Sequence, residues 1–218
     1  MIVSRARRYI FVHIPKTGGT ALTQALEARV GPDDILIGDT PKARRRRHRL
    51  KGLQAAGRLW KHSTLSDIAG LVTPEEMADF CIFTLVRNPW DRVVSYYHWL
   101  RAQDFAHPAV ARAKALDFSA FLNHPATVAS LTATPYSSYL TDAAGVERAT
   151  LYLRLERLEE DLPRLAAKIG FLPEMERINV SDRVRDWRGF YSDEDAALLA
   201  RIAATDIARF GYAFDPRD

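Results

Sequence analysis

The chain has 218 residues, 47% hydrophobic and 27% charged, with a formal net charge of +4 and a pI near 9.3. That length suits one sizeable core and is short for two independent domains, so a single domain over 1–218 is expected, and the composition excludes disorder throughout. The single cysteine, Cys81, excludes an internal disulfide framework, and so slight a basic excess favours acidic ligands without separating nucleotide, sulfated glycan and nucleic acid.

Residues 1–8 are basic, but the apolar run that follows is too short for a signal peptide, and no stretch reaches the roughly 18 apolar residues of a membrane helix. A cytoplasmic protein without a transmembrane segment is expected. The run Arg8-Tyr-Ile-Phe-Val-His13 is apolar nearly throughout, as in a parallel strand covered on both faces. It leads into His13-Ile-Pro-Lys-Thr-Gly-Gly-Thr20 and then into a helical pattern carried by Leu22, Ala25 and Leu26. Two glycines between a strand and a helix let the backbone curl around an anion, and the helix start supplies N–H groups and positive dipole. Lys16 adds a mobile cation. A Gly-Gly pair alone is more often a plain tight turn; its place before a helix, with Lys16 and Thr20, points instead to anion binding. In a Walker loop the lysine follows the glycines, whereas here it precedes them.

Downstream, the run Lys42-Ala-Arg-Arg-Arg-Arg-His-Arg49 reads as a basic loop, either simply solvated or recruiting an acidic partner. It lacks the interleaved aromatics of a nucleic-acid site, so no nucleic-acid partner is expected. The second strand, Phe80-Cys-Ile-Phe-Thr-Leu-Val86, carries Cys81 as a buried, inert thiol. It ends at Arg87, where a magnesium-dependent P-loop enzyme would want an aspartate, so no metal is expected. In Arg87-Asn-Pro-Trp-Asp-Arg-Val-Val-Ser95, Asn88 suits a helix cap, Pro89 the first helical position, and Ser95 lies about two turns from Asn88 on the same face. Arg87 and Ser95 could approach one anion, and helix capping is the competing reading. Val93, Tyr97 and Leu100 continue the helix, and residues 104–140 read as short helical pieces broken by Pro108, Pro125 and Pro135.

The third strand, Thr150-Leu-Tyr-Leu-Arg-Leu155, precedes a helix with Leu158, Leu162, Leu165, Ala166 and Ile169 on one face and Gly170 as its stop. Trp187, Phe190 and Tyr191 read as packing residues. A last helix starts at Ser192, buries Ala196, Leu199, Ala203, Ile207 and Phe210, and closes at Gly211. Strand–helix repeats of this kind give an α/β fold in three layers, a central parallel sheet flanked by helices. Both anion motifs follow strand ends, where open α/β sheets bind ligands, and two such sites suit a ligand with two separate anionic groups.

At these residues the chain resembles the sulfotransferase superfamily, in particular the carbohydrate-type sulfotransferase family 2. The likeness extends through His62-Ser-Thr-Leu-Ser-Asp67, Leu153-Arg-Leu-Glu-Arg-Leu158, Asn179-Val-Ser-Asp-Arg183 and Phe210-Gly-Tyr-Ala-Phe214. The family usually has asparagine where this chain has Arg157. The resemblance implies a P-loop-like fold, 3′-phosphoadenosine 5′-phosphosulfate (PAPS) as donor, a hydroxyl acceptor that is a glycan or glycoconjugate, and no catalytic metal. It assigns Lys16, Thr17, Gly18, Gly19 and Thr20 to the 5′-phosphosulfate and Arg87 and Ser95 to the 3′-phosphate; Arg183, in a late loop, reads either as an added 3′-phosphate contact or as a surface salt-bridge residue. Lys16 would steady the departing phosphate, and His62 is the leading general base, a hydrogen-bonded structural histidine being the alternative. Glu27 is a remote third option for the base and His13 shapes the loop. A nucleotide kinase and a non-catalytic adenosine-bisphosphate-binding module are the competing functions.

Overall fold

In the computed structural model, residues 1–175 and 186–215 are described below. They form two compact units, one built from Met1–Val86 and the chain from Tyr136, the other from Arg87–Pro135 and the C-terminal stretch.

The first unit holds a five-stranded sheet of β1 (Ile2–Ser4), β2 (Tyr9–Val12), β3 (Ile35–Leu36), β4 (Cys81–Val86) and β5 (Leu151–Arg154), in the order β3-β1-β2-β4-β5. β2, β4 and β5 are the three strands expected, and they pair in parallel, with Val12 beside Thr84 and Val86 beside Arg154. β1 and β3 add an antiparallel edge that sequence reading missed, because three and two residues are too few to show a period. One sheet face, with Ile2, Tyr9, Phe11, Phe83, Leu85, Leu151 and Leu153, packs against Leu22 and Leu26 of α1 (Gly19–Glu27) and Leu165 and Ile169 of a later helix. Val3, Ile10, Val12, Ile82 and Val86 on the opposite face are equally shut off from water. This double burial explains why β2 and β4 read as unbroken apolar runs.

The run at 42–49 is not a loop. It forms α2 (Pro41–Arg46) and a following 3₁₀ turn, Arg47–Leu50. Thr40 caps α2 by accepting the Ala43 N–H, and Pro41 fills the first position, a start signal that the charge run masks. Lys42 donates to the Glu27 carbonyl and Arg46 to that of Gly31, so two of its cations serve the chain end of α1. Cys81 is half-buried rather than buried, and burial pushes its thiol pKa up. α3 (Pro74–Asp79) begins in a capping box between Thr73 and Glu76.

The second unit is helical, with α4 (Pro89–Arg101), α5 (Pro108–Ala115), α6 (Phe118–Asn123) and α7 (Pro125–Ala133); the chain then returns to the first unit through α8 (Tyr136–Tyr139) and α9 (Leu158–Ile169). Pro89, Pro108 and Pro125 start their helices rather than merely breaking earlier ones, since a first-turn residue needs no N–H. Gly170 ends α9 at φ 81°, a left-handed conformation that favours glycine. Ser192 caps α10 (Asp193–Ile202) through the Asp195 N–H, but the expected single last helix is interrupted at Ala203 before α11 (Ala204–Phe210). Trp90, Tyr97, Phe118, Phe121, Trp187 and Leu199 form the second unit's core, with Phe190 and Tyr191 packed on it. The expected packing role of Trp187, Phe190 and Tyr191 is therefore observed. No helix among the described residues is long and apolar enough to cross a membrane.

The buried Thr84 hydroxyl donates to the Val12 carbonyl at 2.7 Å, tying β4 to β2 where the loop departs. Thr84→Val keeps the shape and deletes the donor, so it is expected to cost about 1 kcal/mol, read as a lower urea midpoint with an unchanged slope.

Candidate active site

β2 and β4 run parallel, so the chain leaves both from the same edge of the sheet. After β2, residues 13–18 turn sharply into α1. Lys16 sits at φ 66° and Gly18 at φ 83°, two left-handed residues almost in succession. Gly18 occupies the N-cap of α1 and no side chain caps that helix, so its first N–H groups are left for other acceptors. Thr17 is fully buried and its hydroxyl donates to the Ile14 carbonyl at 2.9 Å. Thr23 likewise donates to the Gly19 carbonyl at 2.7 Å. Thr17 thus fixes the turn from inside, while Thr20 stands half-buried at the first turn of α1.

The glycines are required by space as well as by φ. A methyl group on Gly19 would stand 2.4 Å from Cδ2 and 2.6 Å from Nε2 of His13. On Gly18 it would stand 2.7 Å from Cδ1 of Leu155, the residue that follows β5.

His62 meets this turn from the segment after α2. Its Nδ1 lies 2.7 Å from the His13 carbonyl oxygen, and the two imidazoles pack edge-on with centroids 4.8 Å apart. A carbonyl can only accept, so Nδ1 carries the proton and the neutral ring keeps its lone pair on Nε2. Burial pushes the His62 pKa down to about 4; the bond to the His13 carbonyl works against that shift and Lys61 adds to it. His13 is held well below the usual histidine range, first by burial and then by the neighbouring His62, the chain's N-terminal amine, Lys61 and Lys16. Ser63 locks the segment: its buried hydroxyl lies 2.8 Å from the Arg58 carbonyl, 2.9 Å from the Trp60 carbonyl and 2.9 Å from the Trp60 N–H.

On the second unit, Asn88 caps α4 by accepting the Trp90 N–H at 3.1 Å, and its amide donates to the Ala213 carbonyl at 3.0 Å. Arg87 is half-buried and ion-paired with Asp91, one turn along α4, at 2.5 Å. Ser95 is half-buried on α4.

The sulfotransferase family model matches residues 1–212 of the 218. The chain belongs to the sulfotransferase family. Its activity is sulfuryl transfer. Among solved structures it is similar to mouse sulfotransferase SULT7A1 complexed with PAP, at 15% identity and a TM-score of 0.49, over 95% of this chain and 88% of that one. No curated protein matches it significantly.

In this sulfotransferase, the first unit brings together Lys16, Thr17, Gly18, Gly19, Thr20 and His62, while Arg87 and Ser95 belong to the second. Arg183 and the Asn179–Arg183 motif lie outside the described residues. Glu27 closes the far end of α1, where it accepts the Thr40 hydroxyl at 2.6 Å, and burial raises its pKa. Sequence reading missed three partners. Asp91, in the position a capping box would use, holds Arg87 instead. Leu155 underlies Gly18, which only the fold could show. Asp161, 1% exposed, takes the Arg154 N–H at 2.8 Å and its guanidinium at 2.8 Å, fixing the turn after β5; an acid in the first turn of α9 was its sole signal. Among the described residues no acidic or histidine cluster could hold a metal.

Nitrogen-15 NMR of labelled histidine is expected to show His62 neutral at pH 7, protonated at Nδ1, with a midpoint near 4. The unfolded chain protonates this ring near 6.5, so it binds more protons than the folded state between 6.5 and 4. The contribution of His62 to stability is therefore full above pH 6.5 and is lost as the pH falls toward 4.

Proposed function

We propose that the enzyme takes its sulfuryl group from PAPS and delivers it to the hydroxyl of a carbohydrate. One observation carries this reading: an uncapped helix start, a lysine and a histidine with its basic nitrogen fixed at Nε2 converge on one strand-to-helix turn. The first N–H groups of α1 would hold the 5′-phosphate, and Gly18 would give it close access to the backbone. Thr17 would contribute through its backbone, because its hydroxyl is committed to Ile14. The Lys16 ammonium would neutralise the bridging oxygen as charge develops there. Arg87 and Ser95 are the proposed ligands of the 3′-phosphate, with Arg183 as a further contact. Arg87 would then share its guanidinium between that group and Asp91.

His62 is the proposed general base. Its Nε2 would accept the acceptor hydroxyl's proton while Nδ1 stays bonded to His13. A pKa of about 4 makes a weak base in the free protein, but the negative charge of a bound donor favours the imidazolium and raises the pKa toward working pH. Binding the donor would thus switch the base on.

His62→Ala is expected to reduce turnover by at least ~10²-fold while adenosine 3′,5′-bisphosphate binds normally by calorimetry. Lys16→Ala should cost ~10²–10³-fold in kcat, as removal of a donor at developing charge does. Adenosine 3′,5′-bisphosphate should raise the NMR midpoint of His62 above about 4. Normal turnover in His62→Ala moves the base elsewhere, and loss of PAPS turnover in EDTA overturns the metal-free reading.

A further inference from the structure

The turn that carries His62 also carries an indole that the chemistry above leaves unused. Trp60 is 43% exposed, whereas Trp90 and Trp187 are buried in the second unit's core. Its ring meets the His62 imidazole edge-on with centroids 5.0 Å apart. Arg58, exposed and without an ion pair among the described residues, places its guanidinium carbon 5.8 Å from the Trp60 ring centre. Ser63 holds the Trp60 N–H and the Arg58 and Trp60 carbonyls, so indole and cation ride on a braced backbone. The exposed part of the indole, next to the His62 ring, is apolar surface that a bound ligand could cover with a gain in free energy.

An aromatic face with one polar neighbour suits a ligand with an apolar face and a polar rim. A pyranose ring is such a ligand: its axial C–H bonds make a flat apolar face, and its hydroxyls project around the edge. The guanidinium beside the indole suits a carboxylate or sulfate on that rim. Lys61, between Trp60 and His62, is already paired with Asp39 at 3.1 Å, whereas Arg58 has no such pair among the described residues.

We propose that Trp60 and Arg58 form the acceptor subsite, a stacking and charge-recognition surface that presents an acidic pyranoside to His62. This rests on the reading of His62 as the base. Trp60 is a positioning residue: it sets where the acceptor lies and takes no part in proton transfer.

The test uses the full chain loaded with adenosine 3′,5′-bisphosphate, with methyl β-D-glucuronide and methyl β-D-glucoside as probes. Saturation-transfer NMR reports sugar binding without turnover, and transfer from labelled PAPS gives KM and kcat separately. In the unaltered protein the glucuronide is expected to bind more tightly than the glucoside. Trp60→Ala is expected to weaken both by about tenfold or more, raising the sugar KM with little change in kcat, and Trp60→Phe to restore most of the loss. Arg58→Ala should erase the preference for the glucuronide and leave the glucoside unaffected. Bisphosphate affinity and thermal midpoint should stay unchanged in all three, which separates a lost subsite from a damaged fold. Sugar binding that is absent from the unaltered protein, or equal in Trp60→Ala, overturns the proposal. Failure of the donor reading looks different: no bisphosphate binding and no transfer, whatever stands at position 60.

Discussion

The hydrogen bond from His62 to the His13 carbonyl organises the site of the first unit. It joins two segments distant in sequence, and because a carbonyl has no proton to give, it decides which imidazole nitrogen is basic. The same His13 packs its ring where a side chain on Gly19 would have to go, so helix start, loop and the His62 ring are positioned by one residue. The parallel register beneath it, fixed at this edge by Thr84 and Val12, sets where the loop begins. A buried hydrogen bond of this kind contributes only about 1 kcal/mol to stability, so its importance lies in orientation.

The three parallel strands were legible because both faces of the sheet are covered, which leaves β2 and β4 apolar without alternation. The strand-to-helix turn at 13–20 was legible because glycine, lysine and a helix start are local features. The short antiparallel strands were not, since two or three residues have no period to detect. α2 was hidden for another reason: a run of arginines draws the eye to charge, while the Thr40-Pro41 start signal specifies a helix whatever follows. The pairing of Arg87 with Asp91 was open to sequence reasoning through its i, i+4 spacing, but the same aspartate also fitted a capping role. Trp60 shows the limit most plainly. Its residue type was visible, but its exposure beside His62 is a property of the folded turn alone.

The His62 ring, held near pKa 4 by burial, and Arg87, held by the Asp91 carboxylate, have the same consequence. On the proposed reading each would gain its working character when an anion arrives, the first by recovered basicity and the second by shared charge. Charge neutralisation would then fall to side chains and backbone N–H groups.

The left-handed backbone at Lys16 carries a lesson about how such a loop is kept. A non-glycine residue there costs on the order of 1–2 kcal/mol relative to one that is at ease in that region. Folding alone would prefer glycine at this point in the turn. If Lys16 serves the donor as proposed, its ammonium group is kept at the expense of the scaffold, and a chain without that duty would be expected to drift toward a more comfortable, inert residue at position 16.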